Sequence, residues 1–170
     1  MKSLDTDFLR TIPLFTGLSQ VKLEKVRTIM TTRMVEAGTF IIKENEKGNE
    51  MFILIDGEVE ISRTLLLKVA GRGMDQKDKL LNKLTANDHA FFGEMSLFDD
   101  NSERTASVIA TVQCTLAVLE RNSFFHLTES DNEIGYCILK NILKIVNERL
   151  DKTNKDVLKL TTALSLALER

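Results

Sequence analysis

The chain has 170 residues, with 23 Lys plus Arg against 25 Asp plus Glu and a net charge near −2. That length suits one domain with an appendage and excludes a large multidomain enzyme. At 43% hydrophobic and 28% charged, the chain has material for a sizeable core, is no disordered segment, and carries no broad basic field for nucleic acid.

Two cysteines, Cys114 and Cys137, make neither a disulfide framework nor a C-x-x-C pair, which fits a reducing compartment. The first residues hold no apolar signal core, and no run approaches the roughly 18 apolar residues needed to span a bilayer. The expected location is the cytoplasm, with no membrane partner.

The only proline, Pro13, and Gly17 punctuate two short helices, at Asp7 to Ile12 and Ser19 to Met30. Ser19 suits the N-cap of the second, with Val21, Leu23, Val26 and Ile29 on its buried side. From residue 31 the period changes to two. Met51 to Ile61 reads as a hairpin across Asp56-Gly57, since a type I′ turn needs positive φ at both central positions. Further strands are expected at Thr39 to Lys43, Lys79 to Leu84, Thr105 to Val112 and Thr115 to Leu119, which makes the middle a β barrel or roll. Lys68 to Asp78, with Gly71, Gly73 and five charges, reads as a solvent loop.

From Asn132 onward, helix formers dominate and no proline interrupts, so about 38 residues can run as one helix. Tyr136, Leu139, Leu143, Val146, Leu150, Thr153, Val157, Leu160, Leu164 and Ala167 recur in steps of three and four. This a/d seam predicts a helical homodimer, although its near end, Tyr136 to Leu143, could instead fold onto the chain's own barrel. The expected units are residues 1–130, a roll with its lead-in helices, and 131–170, the dimerising helix. No DNA-reading segment is expected after the helix, and neither is sequence-specific nucleic-acid binding.

The chemistry concentrates in Phe91 to Val108. Gly93 lets backbone approach a ligand, and the residues after it resemble one helical turn whose amides would face an anion. Glu94 offers a carboxylate for vicinal hydroxyls, and Arg104 a fork suited to phosphate. The Asp99-Asp100-Asn101-Ser102 loop lets the chain double back so that both face one small ligand. A lone Glu and Arg ten apart would usually be a solvated pair, but the flanking pattern changes that.

Phe92-Gly93-Glu94-Met95-Ser96-Leu97, followed by Arg104-Thr105-Ala106, resembles the phosphate-binding cassette of cyclic-nucleotide-binding domains. The resemblance implies an α+β, mainly β fold: an eight-stranded jelly roll with short N-terminal helices and a long C-terminal helix. It also implies Glu94 on the ribose 2′-hydroxyl, Arg104 and neighbouring amides on the cyclic phosphate, and Thr105 adding a hydroxyl. The ten-residue spacing, with Glu103 rather than Pro before the Arg, is similar to the bacterial catabolite-activator branch of the family. There a Thr-Ser pair of the long helix, one residue from each subunit, contacts adenine; Thr153 and Asn154 occupy that pair here. Asn replaces Ser at 154, and Asn45 replaces a frequent turn glycine, a site where Asn tolerates positive φ.

No nucleophile and base come together; His89 and His126 read as structural, and two distant histidines hold no metal. The expected function is a non-enzymatic sensor that takes cyclic AMP ahead of cyclic GMP, without cofactor, and signals through its C-terminal helix to an effector protein. The rival is a nucleotide-free interaction protein that dimerises through the coiled coil.

Overall fold

A short helix, α1 (Thr6–Thr11), starts one residue before the expected Asp7, where the Asp5 carboxylate caps it by accepting the Phe8 amide at 2.8 Å. After a single turn at Pro13–Phe15 comes α2 (Gln20–Thr28). Ser19 is its N-cap by backbone but makes no side-chain cap bond, and Val21 faces solvent while Leu23 and Val26 are buried. The computed structural model describes residues 3–68, 74–98 and 103–168, with only backbone described at 65–68 and 74–78.

Among the described residues, eight strands follow: β1 (Met30–Val35), β2 (Phe40–Ile42), β3 (Glu50–Asp56), β4 (Glu58–Lys68), β5 (Met74–Thr85), β6 (Phe91–Phe92), β7 (Ser107–Ala110) and β8 (Cys114–Glu120). All pair antiparallel, in sheets ordered β1-β8-β3-β6 and β2-β7-β4-β5, which is the jelly roll that the cassette implied. In β3 the five residues Met51 to Ile55 are all buried because both faces are covered. Phe52 and Leu54 point between the sheets, against Val59, Val108 and Leu116. Met51, Ile53 and Ile55 point outward, into a second core formed with Leu9, Phe15, Phe124 and Ile138.

Two sequence expectations need correction. β3 and β4 lie in different sheets, so Asp56-Gly57 is a corner between sheets and not a hairpin. Only Gly57 has positive φ, +100°, and a Cβ there would lie 2.6 Å from Cys114 Sγ and 2.8 Å from the Gln113 carbonyl. The turn signal was real, but strand pairing is decided by which faces must be buried. In the expected Lys68 to Asp78 loop, Lys68 ends β4 and residues from Met74 belong to β5, in register from Lys68↔Met74 onward. Residues 69–73, with both glycines, lie outside the described residues.

Helix α3 (Arg121–Ser130), which the pattern did not reveal, turns at Asp131 into α4 (Asn132–Leu168), 37 residues in one piece. α4 docks on the roll through Ile134, Ile138 and Ile142, while Asn141 Nδ2 donates to the carbonyls of Leu14 (2.9 Å) and Thr16 (2.8 Å). The docked stripe is therefore not the a/d seam: Tyr136 is 70% and Leu143 61% exposed. Every residue from Val146 to Leu168 is exposed, and no described helix is long and apolar enough to cross a membrane.

Candidate functional site

β6 pairs with β3 through Phe52↔Phe92, and those two rings stack at 5.6 Å. The chain then leaves the sheet at Gly93, whose φ of +79° opens the single turn Glu94–Leu97; the Ser96 amide closes it on the Gly93 carbonyl at 3.3 Å. A Cβ on Gly93 would lie 2.8 Å from Arg104 Nη1 and 3.2 Å from the Glu50 carbonyl, so glycine is required both for the turn and for the close approach. The turn leaves Glu94 and Ser96 buried and Met95 exposed. The loop expected to fold the chain back, 99–102, lies outside the described residues.

Arg104 is pinned by its backbone before its side chain acts. Its amide donates to the Glu46 carbonyl at 2.9 Å, and its carbonyl accepts the Asn45 amide at 2.8 Å. Asn45 adopts φ +66°, the conformation its place in the sequence called for. The guanidinium then donates from Nη2 to the Glu50 carbonyl (2.7 Å) and from Nη1 to the Gly93 carbonyl (3.1 Å).

Arg104 is 8% exposed, and among the described residues carbonyls rather than a carboxylate hold it. Burial pushes its guanidinium below the usual arginine range, against the pull of Glu50 and Glu94. A buried cation without a close counter-charge is costly, and an anion in the adjoining space would offset that cost.

That space is a cavity of about 230 Å3. Phe92, Gly93, Glu94, Met95, Ser96, Arg104, Thr105 and Ala106, all singled out from the sequence, lie in its wall. Ile42, Ile61 and Val108 add an apolar side that the motif did not reveal. Thr153 and Asn154 do not line it: both are exposed on α4, and the Thr153 hydroxyl donates to the Arg149 carbonyl at 2.9 Å.

Arg149 was missed as a cavity residue. Reaching from α4, it stacks over the Phe91 ring at 5.1 Å and donates from Nη1 to Glu94 Oε1 at 2.6 Å. The partners are 55 residues apart, so no local pattern joins them; the only hint is an arginine one helical turn before Thr153. The long helix thus closes the cavity on the side of the carboxylate.

A jelly roll that aims a buried guanidinium, a buried carboxylate and an apolar wall at one cavity is a receptor domain for a small anion with hydroxyl groups. Residues 32–131 match the cyclic nucleotide-binding domain, and the chain belongs to that family. It is 30% identical over 121 residues to the cAMP-dependent protein kinase regulatory subunit of Pyricularia oryzae, covering 71% of this chain and 27% of that one. It is 29% identical over 170 residues to the human cGMP-dependent protein kinase 2, covering 95% and 20%. The chain thus spans about a quarter and a fifth of the length of these two relatives.

Among solved structures, the Thermus thermophilus catabolite activator protein superposes with TM-score 0.72 at 26% identity, over 88% of this chain and 63% of that one. The regulatory domain of Toxoplasma gondii PKA, solved with cAMP, gives 0.67 at 26%, over 86% and 50%. The domain is a cyclic nucleotide-binding regulatory module.

Proposed function

We propose that this chain is a cytoplasmic cyclic AMP sensor that dimerises through α4 and passes its signal along that helix to an effector protein. The observation that carries the reading is the buried Arg104 guanidinium, held by two carbonyls and facing the cavity. A cyclic phosphate meets Arg104 and the amides of the Glu94–Leu97 turn, the Thr105 hydroxyl adds a donor, and Glu94 accepts from the ribose 2′-hydroxyl. The base rests on the apolar side at Ile61 and Val108. Cyclic AMP is preferred to cyclic GMP because the catabolite-activator pattern carries an adenine contact onto Thr153 and, from a second copy, Asn154.

The same contacts supply a route out. Glu94 is bonded to Arg149 of α4, so a ribose hydroxyl on Glu94 changes the pull on the helix. Ligand shifts the helix only as far as its affinity differs between two helix positions. The exposed seam from Tyr136 to Leu164 gives a second copy its docking face.

Hydrogen–deuterium exchange with and without cyclic AMP tests the reading. Slower exchange across 93–106 together with changed exchange across 134–150 is expected. Unchanged exchange in both segments would overturn it and favour a nucleotide-free interaction protein that works through the seam.

A further inference from the structure

Outside the cavity wall, one ion pair stands behind Arg104. Arg33, on β1, grips the Glu50 carboxylate with both arms of its fork, Nη2 to Oε1 at 2.6 Å and Nη1 to Oε2 at 3.1 Å. The carbonyl of that same Glu50 anchors Arg104 Nη2 at 2.7 Å. Arg33 also lies over the Phe52 ring at 5.5 Å, and Phe52 stacks on Phe92, the cavity residue that precedes Gly93. One side chain therefore touches β3 at two points, Glu50 and Phe52, and through Phe52 bears on β6.

The charges give this contact a purpose beyond packing. Glu50 and Glu120 are register partners on β3 and β8, a pairing of like charges that destabilises a sheet, and Arg33 is attracted to both. Glu50 also attracts Arg104. Without Arg33, the Glu50 carboxylate is free to draw Arg104 out of line and adds an unbalanced negative charge near the place where a phosphate would sit.

We propose that Arg33 is a positioning residue for the anion end of the cavity, holding and neutralising Glu50 so that the Glu50 carbonyl presents Arg104 to the ligand phosphate. The inference rests on the reading of Arg104 as the phosphate anchor. The Arg33 side chain is 45% exposed, so its ion pair adds little to stability, and its loss should appear in affinity.

Calorimetric titration with cyclic AMP, alongside thermal melting, on Arg33→Ala, Arg33→Ala/Glu50→Gln and Arg104→Ala separates the cases. Arg33→Ala should bind about tenfold more weakly, in the range for coupled residues of one network, with melting moved by no more than about 2 °C. Removing the freed carboxylate in Arg33→Ala/Glu50→Gln should restore affinity to within about threefold of the parent, a rescue that a merely structural role would not give. Should Arg33→Ala fail to fold, Arg33→Lys keeps the charge, loses the fork and should bind with intermediate affinity.

If Arg104→Ala loses binding while Arg33→Ala and Arg33→Lys bind like the parent, or if the double variant is as weak as Arg33→Ala, the inference is overturned and the reading of Arg104 stands. If Arg104→Ala binds like the parent, or the parent does not bind, that reading fails and the inference with it.

Discussion

Gly48 offers a way to disturb the cavity without touching its wall. A Cβ there would lie 2.6 Å from Arg104 Nε and 2.8 Å from Cζ, well inside ordinary contact. The guanidinium must retreat by about 0.8 Å, which takes its bonds to the Glu50 and Gly93 carbonyls, now 2.7 and 3.1 Å, to the limit of a hydrogen bond or past it. Hydrogen bonds to a charged group contribute roughly 1.5–3 kcal/mol each, so losing one or both, with the alignment they give the phosphate, should cost about 2–4 kcal/mol of binding. That is roughly a 30- to 700-fold loss of affinity for cyclic AMP. Gly48 is not in the positive-φ region, so alanine fits its backbone and should leave stability unchanged or raise it by about 0.4–1 kcal/mol through the unfolded state. Calorimetry and thermal melting of Gly48→Ala read both quantities. Parental affinity, or a fall in melting temperature in place of a fall in affinity, would refute the claim that a fixed guanidinium organises the site.

Gly57→Ala should do the reverse: positive φ and a Cβ 2.6 Å from Cys114 Sγ predict a loss of about 2–4 kcal/mol, seen as a melting point lower by roughly 5–15 °C. An unchanged melting point would mean that the corner between sheets is not tight. Asp131, which joins α2 to the start of α4, is held below the usual carboxylate range chiefly by its hydrogen bond from Lys25, and also by the Ile134 amide. A depressed folded pKa gives stability that is present above the unfolded value of about 3.9 and is lost as pH falls through the folded one. Acid titration of melting should therefore be shallower below about pH 4 in Asp131→Asn than in the parent; identical slopes would remove Asp131 from the account. At the seam, light scattering should find a dimer that Leu160→Glu converts to monomer, and a monomeric parent would exclude seam pairing.

The cassette was legible because its chemistry is local: Gly93, Glu94 and Ser96 belong to one turn, and Arg104 returns to the same wall within one short connection. Strands were legible where burial imposed a period of two, as at β7, or covered both faces of a long run, as at Met51 to Ile55, but β1, buried only at its ends, and the two-residue β6 were not read as strands. What escaped depends on distant partners. Asp56-Gly57 carries a hairpin's turn residues, but β3 and β4 bury their faces in different sheets. α4 carries two apolar stripes, and the sequence displays the regular seam more clearly than Ile134, Ile138 and Ile142, which meet the core. Arg149 was hidden because its purpose lies in Glu94, 55 residues away in the sequence.

The most direct test of the central claim is isothermal titration of the purified chain with cyclic AMP and with cyclic GMP. Saturable binding of cyclic AMP at micromolar or tighter affinity, stronger than that of cyclic GMP, is the predicted result. No binding heat with either nucleotide, under conditions where the chain is folded, would contradict the claim that the buried Arg104 exists to meet a cyclic phosphate.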